Sequence, residues 1–357
     1  MEILHQKHTQ DDPLTRRNIR WAILGTSFIS TVMVDAIRKS DAGIVHCIAG
    51  RSLDKLESFA SKYGIAVRYS SYEEAINDPL VDVVYIGLPT FLHCAWIMKC
   101  ASVGKHILCD KSLTINSVQA RRAINYVQGR SVFLMEAQMH RCHPIIARLK
   151  ACVDSCPVGN VVSVSATFTA PIIDLFNRHA GGSILDLGCY PISLLRLLFG
   201  EPVSITGSAQ IIQPIVYEHN NFDAVSTAHM LFLNEVFADV RVANNEPLAW
   251  EFMIRCERGT ISLSNLWDDT VLDEIIVVEC ESSGDVNRVL NRISEVMPKS
   301  FYTLEVDIVN SCISRNMIEA PTPAMSWQDS IENMATLDRW RQAVGLRYPM
   351  DDEKEDL

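Results

Sequence analysis

The chain has no apolar run that approaches the roughly 18 to 20 residues a membrane span needs, and none of its 11 cysteines forms a CxxC pair. The first absence argues against a spanning helix. The second, together with a start (1–18) that has neither an apolar leader nor any periodicity, predicts reduced thiols in a cytoplasmic protein rather than a disulfide framework. Basic residues are also in deficit. With 32 Lys and Arg against 43 Asp and Glu, the net charge of -11 disfavours nucleic acid and an anionic membrane as partners and leaves a small molecule or another protein. His140, His143, Cys152 and Cys156 do not repeat the paired spacings of zinc sites, so no metal is expected.

What the chain does have is length and apolar content. Its 357 residues, 48% of them hydrophobic, are enough for two domains with a sizeable core. The first half alternates short apolar runs with helical periodicity. Strands are expected at 19–25, 44–49, 67–70, 81–87, 107–109 and 132–136, and helices at 30–39, 53–63, 72–77, 91–103 and 117–127. Strands apolar on both faces and separated by helices predict a doubly wound parallel sheet. From about residue 145 the pattern changes to strands at 161–169, 203–212, 226–233, 236–243, 251–256, 260–264 and 275–281, with helices at 190–199, 301–315 and 326–343. That is an α+β domain built on a large, mainly antiparallel sheet. The resulting division is a mobile arm over 1–18, a first domain over 19–140, a second over 141–349 and an acidic tail over 350–357.

The turn after the first strand, Gly25-Thr26-Ser27-Phe28-Ile29-Ser30, has one of the three glycines of a G-x-G-x-x-G motif. Gly25 supplies the tight turn, and the serines at 27 and 30 still allow a pyrophosphate to approach the helix N-terminus. A dinucleotide is therefore the expected ligand of residues 25–29. After the second strand, Arg51 and Ser52 stand where a carboxylate would select NAD; an arginine there accommodates a 2'-phosphate, so NADP is favoured, with NAD possible. Leu88, Pro89 and Thr90 follow the fourth strand, at the edge where open α/β sheets bind ligands, and His93 lies just beyond them.

The most informative stretch is Gly104-Lys105-His106-Ile107-Leu108-Cys109-Asp110-Lys111-Ser112, a short strand that delivers a carboxylate and an amine to its carboxyl end. This stretch resembles the glucose-fructose oxidoreductase and inositol dehydrogenase family, Gfo/Idh/MocA, and its dihydrodiol dehydrogenase branch most of all. Further matches are Pro89 and His93, Phe133-Leu134-Met135-Glu136-Ala137, Arg141 with Pro144, and Gly181-Gly182-Ser183-Ile184-Leu185-Asp186-Leu187-Gly188-Cys189-Tyr190. Asp110 and Ser112 depart from the family's Glu-Lys-Pro, and serine does not fix φ, which predicts a less constrained lysine.

The resemblance implies a Rossmann first domain, and it implies an enzyme that moves a hydride between a nicotinamide and a secondary alcohol or ketone of a sugar, cyclic polyol or dihydrodiol. Lys111, Asp186 and Tyr190 become the candidate catalytic residues, and Lys111 and His93, with Asp110, join the cofactor set. Arg141, Arg178, Asp186 and Tyr190 are the candidate substrate contacts. The phenol of Tyr190 can carry the reacting proton, and an ammonium beside it would lower its ordinary value of about 10. Asp186 and Tyr190 are four positions apart and would share a face of one helix. On the residues alone, Asp186 reads as a helix cap and Tyr190 as a packed side chain before either reads as catalytic, and the resemblance reverses that order. A non-catalytic nucleotide- or sugar-binding sensor on the same fold is the alternative. Pairing of the second-domain sheet, which the family resemblance implies, predicts a homodimer or higher homo-oligomer, and the alternation from Thr227 to Phe232 is consistent with a face that needs cover.

Overall fold

The computed structural model describes residues 18–172, 181–212, 222–264, 273–280, 287–295, 299–348 and 351. Of the expected arm and acidic tail, only Asn18 and Asp351 fall within that set. The first half runs β1 (Ile19–Leu24), α1 (Phe28–Lys39), β2 (Gly43–Ala49), α2 (Leu53–Tyr63), β3 (Val67–Tyr69), α3 (Tyr72–Asn77), β4 (Val83–Ile86), α4 (His93–Ser102), β5 (His106–Asp110), α5 (Ser117–Val127) and β6 (Leu134–Ala137). All six strands are parallel, in the order β3-β2-β1-β4-β5-β6. The order reverses between β1 and β4, which opens a crevice at their carboxyl ends. All four β4 residues are buried, as a central strand covered on both faces requires.

The second half contains α6 (Pro144–Ser155), β7 (Val161–Pro171), α7 (Ser183–Asp186), α8 (Cys189–Phe199), β8 (Pro202–Ile212), β9 (Phe222–Phe232), β10 (Phe237–Ala243), β11 (Asn245–Cys256), β12 (Gly259–Leu263), β13 (Asp273–Cys280), β14 (Asn287–Glu295), α9 (Phe301–Ser314) and α10 (Trp327–Ala343). The eight strands form one sheet, β14-β13-β12-β11-β7-β10-β9-β8, antiparallel except where β10 runs beside β7. In β7, Val164, Ala166 and Phe168 point into the core, while Ser163, Ser165 and Thr167 occupy the other face. Helices α7, α8 and α10 pack on this sheet at β9, β7 and β8. Among the described residues no helix is long and apolar enough to cross a membrane.

Three features differ from the sequence expectation. The stretch near 140–151 is a helix, α6, with Pro144 in its first turn and His143 capping it by accepting from the Ile145 amide at 3.0 Å. β14 is an additional edge strand. The third difference concerns the division of the chain: α9, from the far end of the sequence, packs on the first sheet. There Val306, Val309 and Cys312 share a core with Trp21, Ile23, Val83 and Tyr85, and the Trp21 indole donates to Asn310 Oδ1 at 3.1 Å. Lys299 adds ion pairs to Asp41 and Asp307 at 2.6 and 2.7 Å. The first sheet is thus covered partly by chain that follows the second.

Candidate active site

The crevice is shaped by two glycines that follow neighbouring strands. Gly25 has φ +103°, and a Cβ there would lie 2.7 Å from the carbonyl oxygen of Gly87, so only glycine lets these two loops approach. Ser27, at the N-cap of α1, makes no capping bond; its hydroxyl meets that of buried Ser30 at 3.1 Å. The same holds along this edge: α1, α2 and α4 begin without a side-chain cap. By contrast α3, α5, α9 and α10 are capped by Ser71, Asn116, Ser300 and Ser326. The N-termini of α1 and α2 thus offer no side-chain acceptor at the crevice, which fits the diphosphate of a dinucleotide, whereas α4 is entered through a 3-10 turn whose Leu92 and His93 amides donate to Pro89 O and Thr90 O. Thr26, Ile29, Pro89 and Thr90 are half-buried along it, and Leu88 is buried. Phe28, Arg51 and Ser52 are exposed, with Arg51 and Ser52 at the end of β2. No carboxylate precedes them on that strand.

At the end of β5 the Asp110 carboxylate accepts from the Lys111 amide at 2.9 Å. Burial pushes the Asp110 carboxyl up to about 7, against the opposing pull of Lys111. Ser112, which follows a cis Lys111–Ser112 peptide, is buried and doubly held: its hydroxyl donates to Leu185 O at 2.7 Å, and its carbonyl faces His93 Nδ1 at 3.0 Å. Here two hydrogen bonds replace the ring constraint of a proline, and the expectation of a loosely presented lysine is corrected accordingly.

The Lys111 ammonium reaches across to the second domain. It donates to the main-chain oxygen of Asp186 at 2.7 Å and to its carboxylate, and it lies 5.2 Å from the centroid of the Tyr190 ring. The Lys111 and Asp186 side chains are 14% and 18% exposed. Burial disfavours the ammonium, but the charges of Asp186, Cys189 and Asp110 outweigh it and hold Lys111 above its ordinary range. Asp186 and Tyr190 do not share one helix. Asp186 ends α7 and Tyr190 is the second residue of α8, and Lys111 contacts both. The expected lowering of the Tyr190 phenol is not found: burial, followed by Tyr302, Cys189, Asp186 and Asp110, raises it well above 10. Its ring is fixed edge-on by His140 and Phe168, with centroids at 5.4 and 5.2 Å.

Two of the expected ligand contacts are held by the protein itself. Arg141 is fully buried, with Nε donating to Pro323 O at 2.6 Å, a terminal nitrogen to Ser193 O at 2.8 Å and Asp329 at 3.5 Å, so its guanidinium ties three segments together. His93 is also fully buried, with its ring between Leu88 O at 2.7 Å and Ser112 O at 3.0 Å. Its ring braces the loops that carry Leu88 and Ser112. Arg178 lies outside the described residues. Ser112, His140 and Phe168 escaped sequence reading as site residues because nothing in their spacing marks them; only the fold brings them to Lys111 and Tyr190. A separate surface groove along α4 and α5, lined by Met98, Arg121, Arg122 and Tyr126, shares no residue with this site.

Residues 19–138 match the family model described as the oxidoreductase family with an NAD-binding Rossmann fold, GFO/IDH/MocA, and residues 146–262 match its C-terminal domain. The chain belongs to the Gfo/Idh/MocA family. This Gfo/Idh/MocA chain is 26% identical over 342 residues to the mouse trans-1,2-dihydrobenzene-1,2-diol dehydrogenase, covering 93% of this chain and 99% of that one. It is 36% identical over 188 residues to D-xylose 1-dehydrogenase (NADP(+)) 2 of Haloferax volcanii, covering 51% of this chain and 58% of that one. A 3-ketoreductase of Actinomadura kijaniata, solved with NADP and TDP-benzene, has the same fold at a TM-score of 0.78 and 21% identity, with 92% and 98% of the two chains covered. The Gfo/Idh/MocA protein is an NAD(P)-dependent oxidoreductase acting on CH-OH groups.

Proposed function

We propose that this enzyme moves a hydride between NADP(H) and a secondary alcohol or ketone of a sugar, cyclic polyol or dihydrodiol. The observation that carries the reading is the Lys111 ammonium, bonded to Asp186 and set over the Tyr190 ring at the crevice edge. When bound, the nicotinamide supplies or accepts the hydride. Tyr190 enters ketone reduction as the neutral phenol, because burial keeps its proton on through neutral pH. Its hydroxyl donates to the alkoxide that forms and is left as the phenolate, and alcohol oxidation is the reverse step, in which that phenolate takes the alcohol's proton. Lys111 supplies a fixed positive charge near the developing oxyanion, and Asp186 keeps that charge in place. Exposed Arg51, beside Ser52, favours NADP over NAD by pairing with a 2'-phosphate. A second copy of the chain docks on the open face of the eight-stranded sheet.

The test is fluorescence titration with NADPH and NADH, followed by turnover on trans-1,2-dihydrobenzene-1,2-diol, D-xylose and a wider panel of sugars and polyols. NADPH binds more tightly than NADH, and Lys111→Ala loses at least about 100-fold in kcat while keeping its melting temperature. Turnover undiminished in both Lys111→Ala and Tyr190→Phe would remove the assigned roles.

A further inference from the structure

Asp223, the second residue of β9, is fully buried, and its carboxylate is satisfied entirely by neutral donors. One oxygen accepts from the Ile184 amide and from the hydroxyls of Ser183 and Ser226, each at 2.7 Å. The other accepts from the Tyr348 hydroxyl at 2.8 Å, and that hydroxyl in turn accepts from the Gly182 amide at 3.0 Å. Both amides belong to the leading edge of α7, a single turn from Ser183 to Asp186 that is too short to hold its own shape. Gly182 is glycine for a steric reason that comes from the same carboxylate: a Cβ there would lie 1.7 Å from Asp223 Oδ1.

The trailing edge of that turn is the catalytic edge. Leu185 O accepts from the Ser112 hydroxyl at 2.7 Å, and Asp186 holds the Lys111 ammonium through both its main-chain oxygen and its carboxylate. Four residues therefore connect a buried carboxylate on the second sheet to the lysine at the end of β5. Tyr348 reaches this place from beyond α10, and it is held there by Arg341, whose guanidinium lies 4.7 Å from its ring centroid and pairs with Asp351 at 2.8 Å.

We infer that Asp223 and Tyr348 form a positioning pair: they fix α7 from in front, so that Asp186 holds Lys111 at one place over Tyr190. The pair touches neither substrate nor cofactor, and its importance for turnover rests on the reading of Lys111 given above. The substitutions that probe it are Tyr348→Phe and Ser183→Ala, which each remove one hydroxyl, and Asp223→Asn, which keeps the volume.

The first readout needs no substrate. Lys111 in the full chain without cofactor is labelled with acetic anhydride across a pH series and quantified by peptide mass spectrometry, with exposed Lys55 and Lys62 as internal standards. In the wild type Lys111 resists acylation where the standards react, because its proton is held by Asp186. In Tyr348→Phe and Asp223→Asn the labelling of Lys111 at pH 9 rises several-fold relative to the standards. The second readout is steady-state kinetics, in which kcat falls and the KM for NADPH stays within twofold. A variant that melts earlier but labels like the wild type shows a merely structural role and overturns the inference. If Asp223→Asn does not fold, Tyr348→Phe and Ser183→Ala decide the matter. Altered labelling in a protein that turns over no substrate upholds the positioning pair and removes the catalytic reading of Lys111 instead.

Discussion

Burial brings the titration of Asp110 close to neutrality. Its carboxyl titrates at about 7 in the folded protein against an ordinary 3.8. Between those values the folded state binds more protons than the unfolded one, so this group makes stability fall as the pH rises from about 4 to about 7. Asp110→Asn removes that slope, and the difference between denaturant midpoints at pH 4.5 and 7.5 shrinks relative to the wild type. An unchanged difference would mean that the carboxyl is not held up by its burial. At this scale the sequence was legible where chemistry and position coincide. Lys111 follows a strand and could be singled out; Asp186 and Tyr190 required the family resemblance. Arg141 and His93 enter as ligand contacts through the family resemblance, and the sequence carries no sign of the burial and main-chain oxygens that hold both side chains.

Helices and strands were legible in proportion to their periodicity. α2, α3 and α5 match the sequence expectation residue for residue, since apolar spacing and a terminal glycine or polar cap mark both ends. α6 carries the same spacing in Ile145, Ile146, Leu149, Cys152 and Val153. That spacing coincides with the change of period between the two halves, which masks it as a helix. α7 has no period to read, being one turn long. The caps make a further distinction that can be measured. Ser71→Ala removes a bonded cap from α3 and lowers stability by about 1 kcal/mol. Ser27→Ala removes a hydroxyl that caps nothing and meets only the Ser30 hydroxyl and, at 3.5 Å, Gly87 O, so stability without cofactor falls less than in Ser71→Ala while NADPH binds more weakly. Equal stability losses in the two variants would place Ser27 among the ordinary caps.

At the scale of the whole molecule, the two sheets and their strand classes follow from hydrophobic pattern alone, but the partner of each covered face does not. Periodicity tells which side of a helix is buried and is silent on what buries it, so the packing of α9 on the first sheet had no signature in the chain. The open face of the second sheet is mostly small and polar, with Phe237, 57% exposed, and Met253, 38% exposed, among its larger apolar groups. Light scattering on Phe237→Glu tests its role: the wild type runs as a dimer or larger and the variant as a smaller species, whereas a wild-type monomer rejects this interface. The packing of α9 bears on how the protein is made. On the ribosome the six parallel strands emerge long before α9, so the part of the first sheet that α9 covers, beside the part already packed by α1 and α2, stays exposed until the second sheet has been synthesised. The nucleotide-binding half therefore completes its core only after the second sheet has emerged, when the helices that follow that sheet close both halves.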